Sequence, residues 1–119
     1  MGSIISKLLT ILLLATAMLS LTCKAPAIAA DFPSGLAHGS EIFNTNCAGC
    51  RANGGNIVRR NKTLKLKALS KFGMDSIAAI ADIVANGKNN MSAYKERLSE
   101  QEIADVAAYV LAQAEADWH

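Results

Sequence analysis

Four stretches of this chain repeat their apolar residues at helical spacing, and none shows the strict alternation of a half-buried strand, so the pattern predicts an all-α domain. The first helix is expected from about Ser34 to Asn46, with Ser34 as its cap and Gly39, Ile42 and Phe43 on one face. The second is expected from Leu64 to about Phe72, capped by Thr63 and closed by Gly73. Its Leu66, Leu69 and Phe72 would turn inward, and Lys65, Lys67 and Lys71 outward. The third starts at Asp75 or Ser76, repeats Ile77, Ile80, Ala81 and Val84, and stops at Asn86-Gly87. The last has the clearest start signal. In Ser99-Glu100-Gln101-Glu102 the Ser99 hydroxyl can accept from the Glu102 amide while the Glu102 carboxylate reaches back, and Ile103, Val106, Ala107, Val110 and Leu111 follow as the buried stripe. Gly39 and Ala107-Ala108 are small enough for the first and last helices to cross closely, with Phe43 and Tyr109 beside the contact.

Between these elements lie two loops. Gly54 to Asn61 is rich in glycine and asparagine, and Lys88 to Tyr94 is polar except for Met91. Ahead of the helices, Lys7 precedes an uncharged run from Leu8 to Leu21 and then Ala27-Ile28-Ala29. A basic start, an apolar segment too short to span a bilayer and a small-x-small site read as a cleaved export signal. The domains expected are therefore a signal over 1–29 and a folded domain over 30–119. A lipid anchor at Cys23 is disfavoured by the preceding Leu21-Thr22.

Removing the leader changes the composition. Ten basic residues remain once Lys7 and Lys24 leave with it, against ten acidic ones, so the domain is near neutral and whole-domain binding to nucleic acid or anionic membrane is not supported. About 90 residues with Phe32, Phe43, Phe72, Tyr94, Tyr109 and Trp118 as their aromatics make a thin core, of the kind that takes a staple or a cofactor. Only Cys47 and Cys50 survive cleavage. A disulfide between them would close too small a loop to stabilise much, so the pair is chemical in purpose.

Cys47-Ala48-Gly49-Cys50-Arg51 has the spacing of a c-type haem attachment site, except that such a site ends in histidine. Two other chemistries use paired cysteines. A thiol–disulfide oxidoreductase would want the pair at a helix start in a βαβ setting, and no strands are predicted. A zinc site would need histidines at finger spacing, which His38 and His119 do not have. Six of the ten basic residues, Arg59, Arg60, Lys62, Lys65, Lys67 and Lys71, crowd into one stretch, either a solvated face or a docking patch for an acidic partner.

The order of elements resembles the class I cytochromes c, cytochrome c6 in particular. The likeness is carried by Glu41-Ile42-Phe43-Asn44-Thr45-Asn46-Cys47-Ala48-Gly49-Cys50, by Asn86-Gly87-Lys88-Asn89-Asn90-Met91, and by Arg97 to Ile103 with Val106 to Leu111. The resemblance implies about four short helices around one covalent haem c, with the terminal helices crossing. It implies Cys47 and Cys50 as thioether anchors and Met91 as the distal axial ligand, a soft neutral donor that favours reduced iron. It further implies a monomeric electron-transfer protein of photosynthesis, not an enzyme, in the thylakoid lumen of a cyanobacterium or algal plastid. Its transient partners would be the cytochrome b6f complex and photosystem I, without nucleic acid and without membrane insertion after signal cleavage.

The departures from the family are equally local. Arg51 stands at the proximal ligand position, and a guanidinium has no lone pair for iron. Three accounts stand side by side: a single-base artefact, a ligand-defective or haem-deficient variant of the fold, and a substitute nitrogen from His38 or His119. Ser92 replaces the usual proline beside Met91, which should loosen the loop, and Tyr94 replaces phenylalanine.

Overall fold

The computed structural model describes residues 2–17 and 32–119, which belong to two compact units divided after Ala30. In the first, Gly2–Ala17 forms helix α1, whose Ile4, Ile5, Leu8 and Leu9 are exposed. Among the described residues no helix is long and apolar enough to cross a membrane. The expected cleavage after Ala29, and Cys23, lie outside the described residues.

The second unit contains α2 (Phe32–Asn46), α3 (Ala48–Arg51), α4 (Leu66–Lys71), α5 (Ile77–Asn86) and α6 (Glu100–Glu115). No strand occurs among the described residues; one isolated bridge joins Lys88 to Met91. The all-α expectation is thus met; beyond the four helices the hydrophobic pattern predicts, the unit has one more α-helix and a 3-10 turn at Ala52–Gly54. That extra helix, α3, is a single turn made by the cysteine motif itself.

Two predicted starts are displaced. α2 begins before Ser34, which lies in its first turn and not at its cap; Pro33 beside it has a φ already set for a helix. α4 begins at Leu66, so Thr63 does not cap it. The cause is long-range. The Leu64 amide donates to the Gly54 carbonyl (2.8 Å) and the Leu64 carbonyl accepts from the Trp118 indole (3.1 Å), holding this segment out of the helix. Shortened to six residues, α4 buries only Leu69. Leu66 and Phe72, expected inward, are 40% and 37% exposed, and the Phe72 ring lies under the Lys62 and Lys71 ammonium groups at 4.9 and 5.6 Å.

The other caps form as their residues predict. Ser76 accepts from the Ala79 amide (3.2 Å) at the start of α5. At α6 both halves of the capping box are present, Glu102 N–H to Ser99 Oγ at 3.1 Å and Ser99 N–H to Glu102 Oε2 at 2.7 Å. α5 ends on Gly87 at φ 68°, where a Cβ would stand 2.5 Å from the Met91 carbonyl oxygen. Only glycine lets the chain leave α5 and fold straight back against the Met91 loop.

α6 packs against both α2 and α5, and the core comprises Ile42 and Phe43 from α2, Leu69, Ile80 and Val84, and Ile103, Val106, Ala107, Val110 and Ala114 from α6. At Gly39 a Cβ would lie 2.2 Å from the Asp105 carbonyl oxygen, so α2 and α6 meet backbone to backbone. Beside this contact Phe43 stacks obliquely on Tyr109 (5.5 Å) and on Trp118 (5.2 Å), and Tyr109 meets Trp118 edge-on at 6.2 Å. A polar lock flanks the same contact. Asp105, 8% exposed, pairs with His38 Nδ1 at 2.9 Å through Oδ2 and accepts from Gln101 at 2.8 Å through Oδ1. The hydrogen bond to Asp105 holds the half-exposed His38 above the usual imidazole value; desolvation opposes it, and the charges of Asp105, Glu102 and Glu41 add smaller attractions.

Gly39→Ala should destabilise the domain by about 2 kcal/mol or more through overpacking, a fall of about 10 °C in melting temperature. Gly49→Ala, where a Cβ meets nothing within 4 Å, should leave it nearly unchanged. Because the His38 pKa is raised by folding, its contribution is fully present below the unfolded value of about 6.5 and is lost as pH rises through the folded value. Thermal melts of His38→Gln should therefore fall below wild type at pH 5 and approach it at pH 8.5.

Candidate functional site

α2 delivers the chain into the motif without a break: the Cys47 amide still donates to Phe43 (2.8 Å), and the Cys50 and Arg51 amides donate to the Cys47 carbonyl (3.2 and 3.1 Å). That turn brings positions i, i+3 and i+4 together, so Cys47, Cys50 and Arg51 share one face, and all three line one cleft. Both cysteines are free thiols; Cys47 is partly buried and Cys50 exposed. Burial pushes the Cys47 thiol up, opposed by the Arg51 charge.

Arg51 is half-buried. Burial lowers its guanidinium from the ordinary value, while the two cysteines act to raise it. Its Nη1 donates to the Lys62 carbonyl at 2.8 Å, and the same oxygen accepts from Asn56 Nδ2 at 2.8 Å. Asn56 is 8% exposed, and its Oδ1 accepts from the Val58 and Arg59 amides at 3.0 and 2.8 Å. One side chain thus folds the 56–62 loop and presents its carbonyl to Arg51. The sequence reading passes over this residue; its signal is an asparagine next to Gly54-Gly55, where a local side-chain-to-backbone turn is favoured.

Met91 stands on the loop after α5. Lys88 and Met91 exchange backbone hydrogen bonds (3.2 and 3.0 Å) across Asn89-Asn90, with Asn89 at φ 54°, a conformation asparagine tolerates. Farther on, the Tyr94 and Lys95 amides donate to the Val84 and Ala85 carbonyls (3.0 and 3.2 Å). The Tyr94 hydroxyl reaches Asn46 O at 3.2 Å, next to Cys47. These bonds bracket Ser92, and the Tyr94 hydroxyl gains a partner that phenylalanine would lack.

The cleft has two lobes, of about 260 and 190 Å³, that share Cys47, Arg51, Lys62, Ile83, Lys88 and Met91. The larger is rimmed by Cys50, Asn56, Arg59 and the 89–92 loop; the smaller runs inward over Phe43, Leu69, Ile80, Val84, Val106 and Val110. Among the described residues no aspartate or glutamate lines either lobe, and the lining cations are Arg51, Arg59, Lys62 and Lys88. An apolar slot with two thiols at its mouth and a thioether in both lobes fits a tetrapyrrole held by thioether bonds and one soft axial donor. Position 51 does not fit an iron ligand, because a guanidinium offers no lone pair.

The remaining candidates are dispersed. Neither histidine lines the cleft: His38 is paired with Asp105, and His119 lies 3.7 Å from Asp117. Of the basic stretch, Lys62 and Lys71 cover Phe72, Lys65 pairs with Asp117 at 3.0 Å, and Arg59, Arg60 and Lys67 are exposed. Among the described residues no three His, Cys, Asp or Glu side chains gather as a metal site. The raised Cys47 thiol is also the reverse of the activated thiolate that disulfide exchange requires.

Comparison with known proteins gives a consistent picture. Residues 34–110 match the family described as cytochrome c oxidase, cbb3-type, subunit III. The chain is 47% identical to a cytochrome c6 of Nostoc sp. over 94% of its own length and 97% of the relative's. It is 67% identical to a cytochrome c6-like protein of the same organism over 68% and 73% of the two chains. The cytochrome c6 structure from the diatom Phaeodactylum tricornutum superposes with a TM-score of 0.68 at 48% identity, covering 70% of this chain and 98% of that one. Cytochrome c6C from Synechococcus sp. PCC 7002 does so at 0.67 and 54% identity, covering 68% and 99%.

Asn56→Ala should cost about 2 kcal/mol, since it removes three hydrogen bonds made by a buried side chain. Hydrogen exchange should show the 56–62 amides losing protection before those of α6.

Proposed function

The chain belongs to the cytochrome c6 family, haem-based electron carriers of photosynthesis, and on that premise we propose that Cys47 and Cys50 are its thioether anchors and Met91 its distal axial ligand. Membership implies one covalently bound haem c. The reading is supported above all by one observation: both thiols and the Met91 thioether line a single cleft whose inner lobe is apolar. Haem c, when bound, supplies the iron whose one-electron change is the whole of the chemistry.

The chain's own residues do the rest. The α3 turn presents both thiols on one side. Phe43, Leu69, Ile80, Val84, Val106 and Val110 exclude water, which holds the environment apolar and reorganisation small. The hairpin at Lys88–Met91 and the Tyr94 bond to Asn46 hold the Met91 loop against the cleft that Cys47 also lines, where a soft neutral donor would favour the reduced metal.

In this reading residues 1–29 are the export signal, the mature domain works in the thylakoid lumen, and it carries electrons from the cytochrome b6f complex to photosystem I. Arg59, Arg60, Lys62, Lys65, Lys67 and Lys71 form the docking patch, with Lys65 weakened by its pairing with Asp117. Contact would be brief and salt-sensitive.

The deciding measurement is the intact mass of protein matured in a host that attaches c-type haem. The expected result is the mature chain plus one haem, a strong Soret band, and loss of both in the Cys47→Ser/Cys50→Ser double variant. A folded, colourless chain with two alkylatable thiols would overturn the reading.

A further inference from the structure

We infer that Arg51 is a positioning residue: it latches the α3 turn, which carries both thiols, to the 56–62 loop, and so gives position 51 to the architecture of the cleft instead of to the group the cleft holds. The bonds concerned lie within the chain. Only their use, presenting Cys47 and Cys50 as anchors, rests on the haem reading above.

The loop shows how the latch works. Its base is closed by the Leu64 amide on the Gly54 carbonyl (2.8 Å), with the Trp118 indole on the Leu64 carbonyl (3.1 Å). Within the loop Asn56 gathers the Val58 and Arg59 amides through Oδ1 and the Lys62 carbonyl through Nδ2, and the Lys62 amide donates to the Arg59 carbonyl at 2.9 Å. These bonds fold the loop on itself, and none of them reaches α3. Two others do. The Ile57 amide donates to the Cys50 carbonyl at 3.1 Å, and Arg51 Nη1 donates to the Lys62 carbonyl at 2.8 Å. The first holds the start of the loop and the second its end, so together they set the turn and the loop in one orientation where either alone would leave a hinge.

Reach decides which residue can do this. The long arginine side chain carries its donors to the far end of the loop, whereas an imidazole on the same Cα ends well short of it. A bond from a guanidinium is also charge-assisted and stronger than one from a neutral donor. No acid competes for the cation, since among the described residues neither lobe of the cleft is lined by aspartate or glutamate. The receiving residue is itself restrained, with the Lys62 ammonium 4.9 Å from the centre of the Phe72 ring. Where the family has a histidine for the metal, this chain has a donor for its own backbone, and the misfit is an exchange of roles.

Hydrogen exchange, read residue by residue on the full chain with both thiols free, tests this. Wild type should protect the Ile57 and Lys62 amides. Arg51→Gln and Arg51→His should each speed exchange at these two amides about tenfold, the worth of one charge-assisted hydrogen bond, and leave Val106 and Val110 of α6 unchanged. Arg51→Lys, which keeps a charged donor on a long stem, should recover most of the protection. Unchanged exchange at Ile57 and Lys62 in Arg51→Gln overturns the inference. So does an equal loss across α6, which would make Arg51 a contributor to global stability and no latch, and so does an Arg51→His variant that holds the loop as firmly as arginine. These rates are read without haem, so they hold or fail apart from the intact-mass test of the electron-carrier reading.

Discussion

The backbone contact between Gly39 and Asp105 is the constraint on which the rest of the domain depends. With no side chain between them, α2 and α6 approach closely enough for Phe43 to reach Tyr109 and Trp118. Trp118 in turn bonds the Leu64 carbonyl and packs over Gly54, so the aromatic cluster fixes both ends of the loop that carries Asn56. The last turn of α2 leads directly into Cys47, so the angle of that helix sets the direction of both thiols. A contact far from the chemistry thus positions it. A small shift at Gly39 would be felt at the cleft because interiors are close-packed and transmit displacement.

The cleft follows a second constraint. A small domain with few aromatics leaves a gap between α2, α5 and α6, and its inner wall is largely apolar. Arg59 stands at the mouth and Lys88 is exposed to water, while Arg51, Lys62 and Lys88 line both lobes. The desolvation of Arg51 is opposed by the two cysteines, and its Nη1 donates to the Lys62 carbonyl. Electrostatically the site is therefore a cationic collar around an apolar slot.

What was legible in the sequence divides along physical lines. Capping residues act locally, so Ser76 and the Ser99 box, Gly87 and the stripe of α6 could be read directly. The Gly39 contact was legible because only one residue type permits it. Thr63, Leu66 and Phe72 were misread because a hydrogen bond from Trp118, 54 residues away, overrides local propensity and delays α4. The site shows the same split. The spacing of Cys47, Cys50 and Arg51 follows from helical period, while Asn56 and the Tyr94 hydroxyl act through partners that no period reveals.

Arg51 separates two demands that usually coincide in one residue. The fold takes from position 51 a second donor to the Lys62 carbonyl, an oxygen that Asn56 Nδ2 also reaches at 2.8 Å. The chemistry of the family asks it for a lone pair. Arginine meets the first demand with a 2.8 Å bond and cannot meet the second. The helices, the aromatic cluster and the Met91 hairpin are accordingly all in place around a residue that cannot bind iron. The domain can therefore keep its architecture through this substitution while position 51 loses the lone pair that the family's histidine offers there.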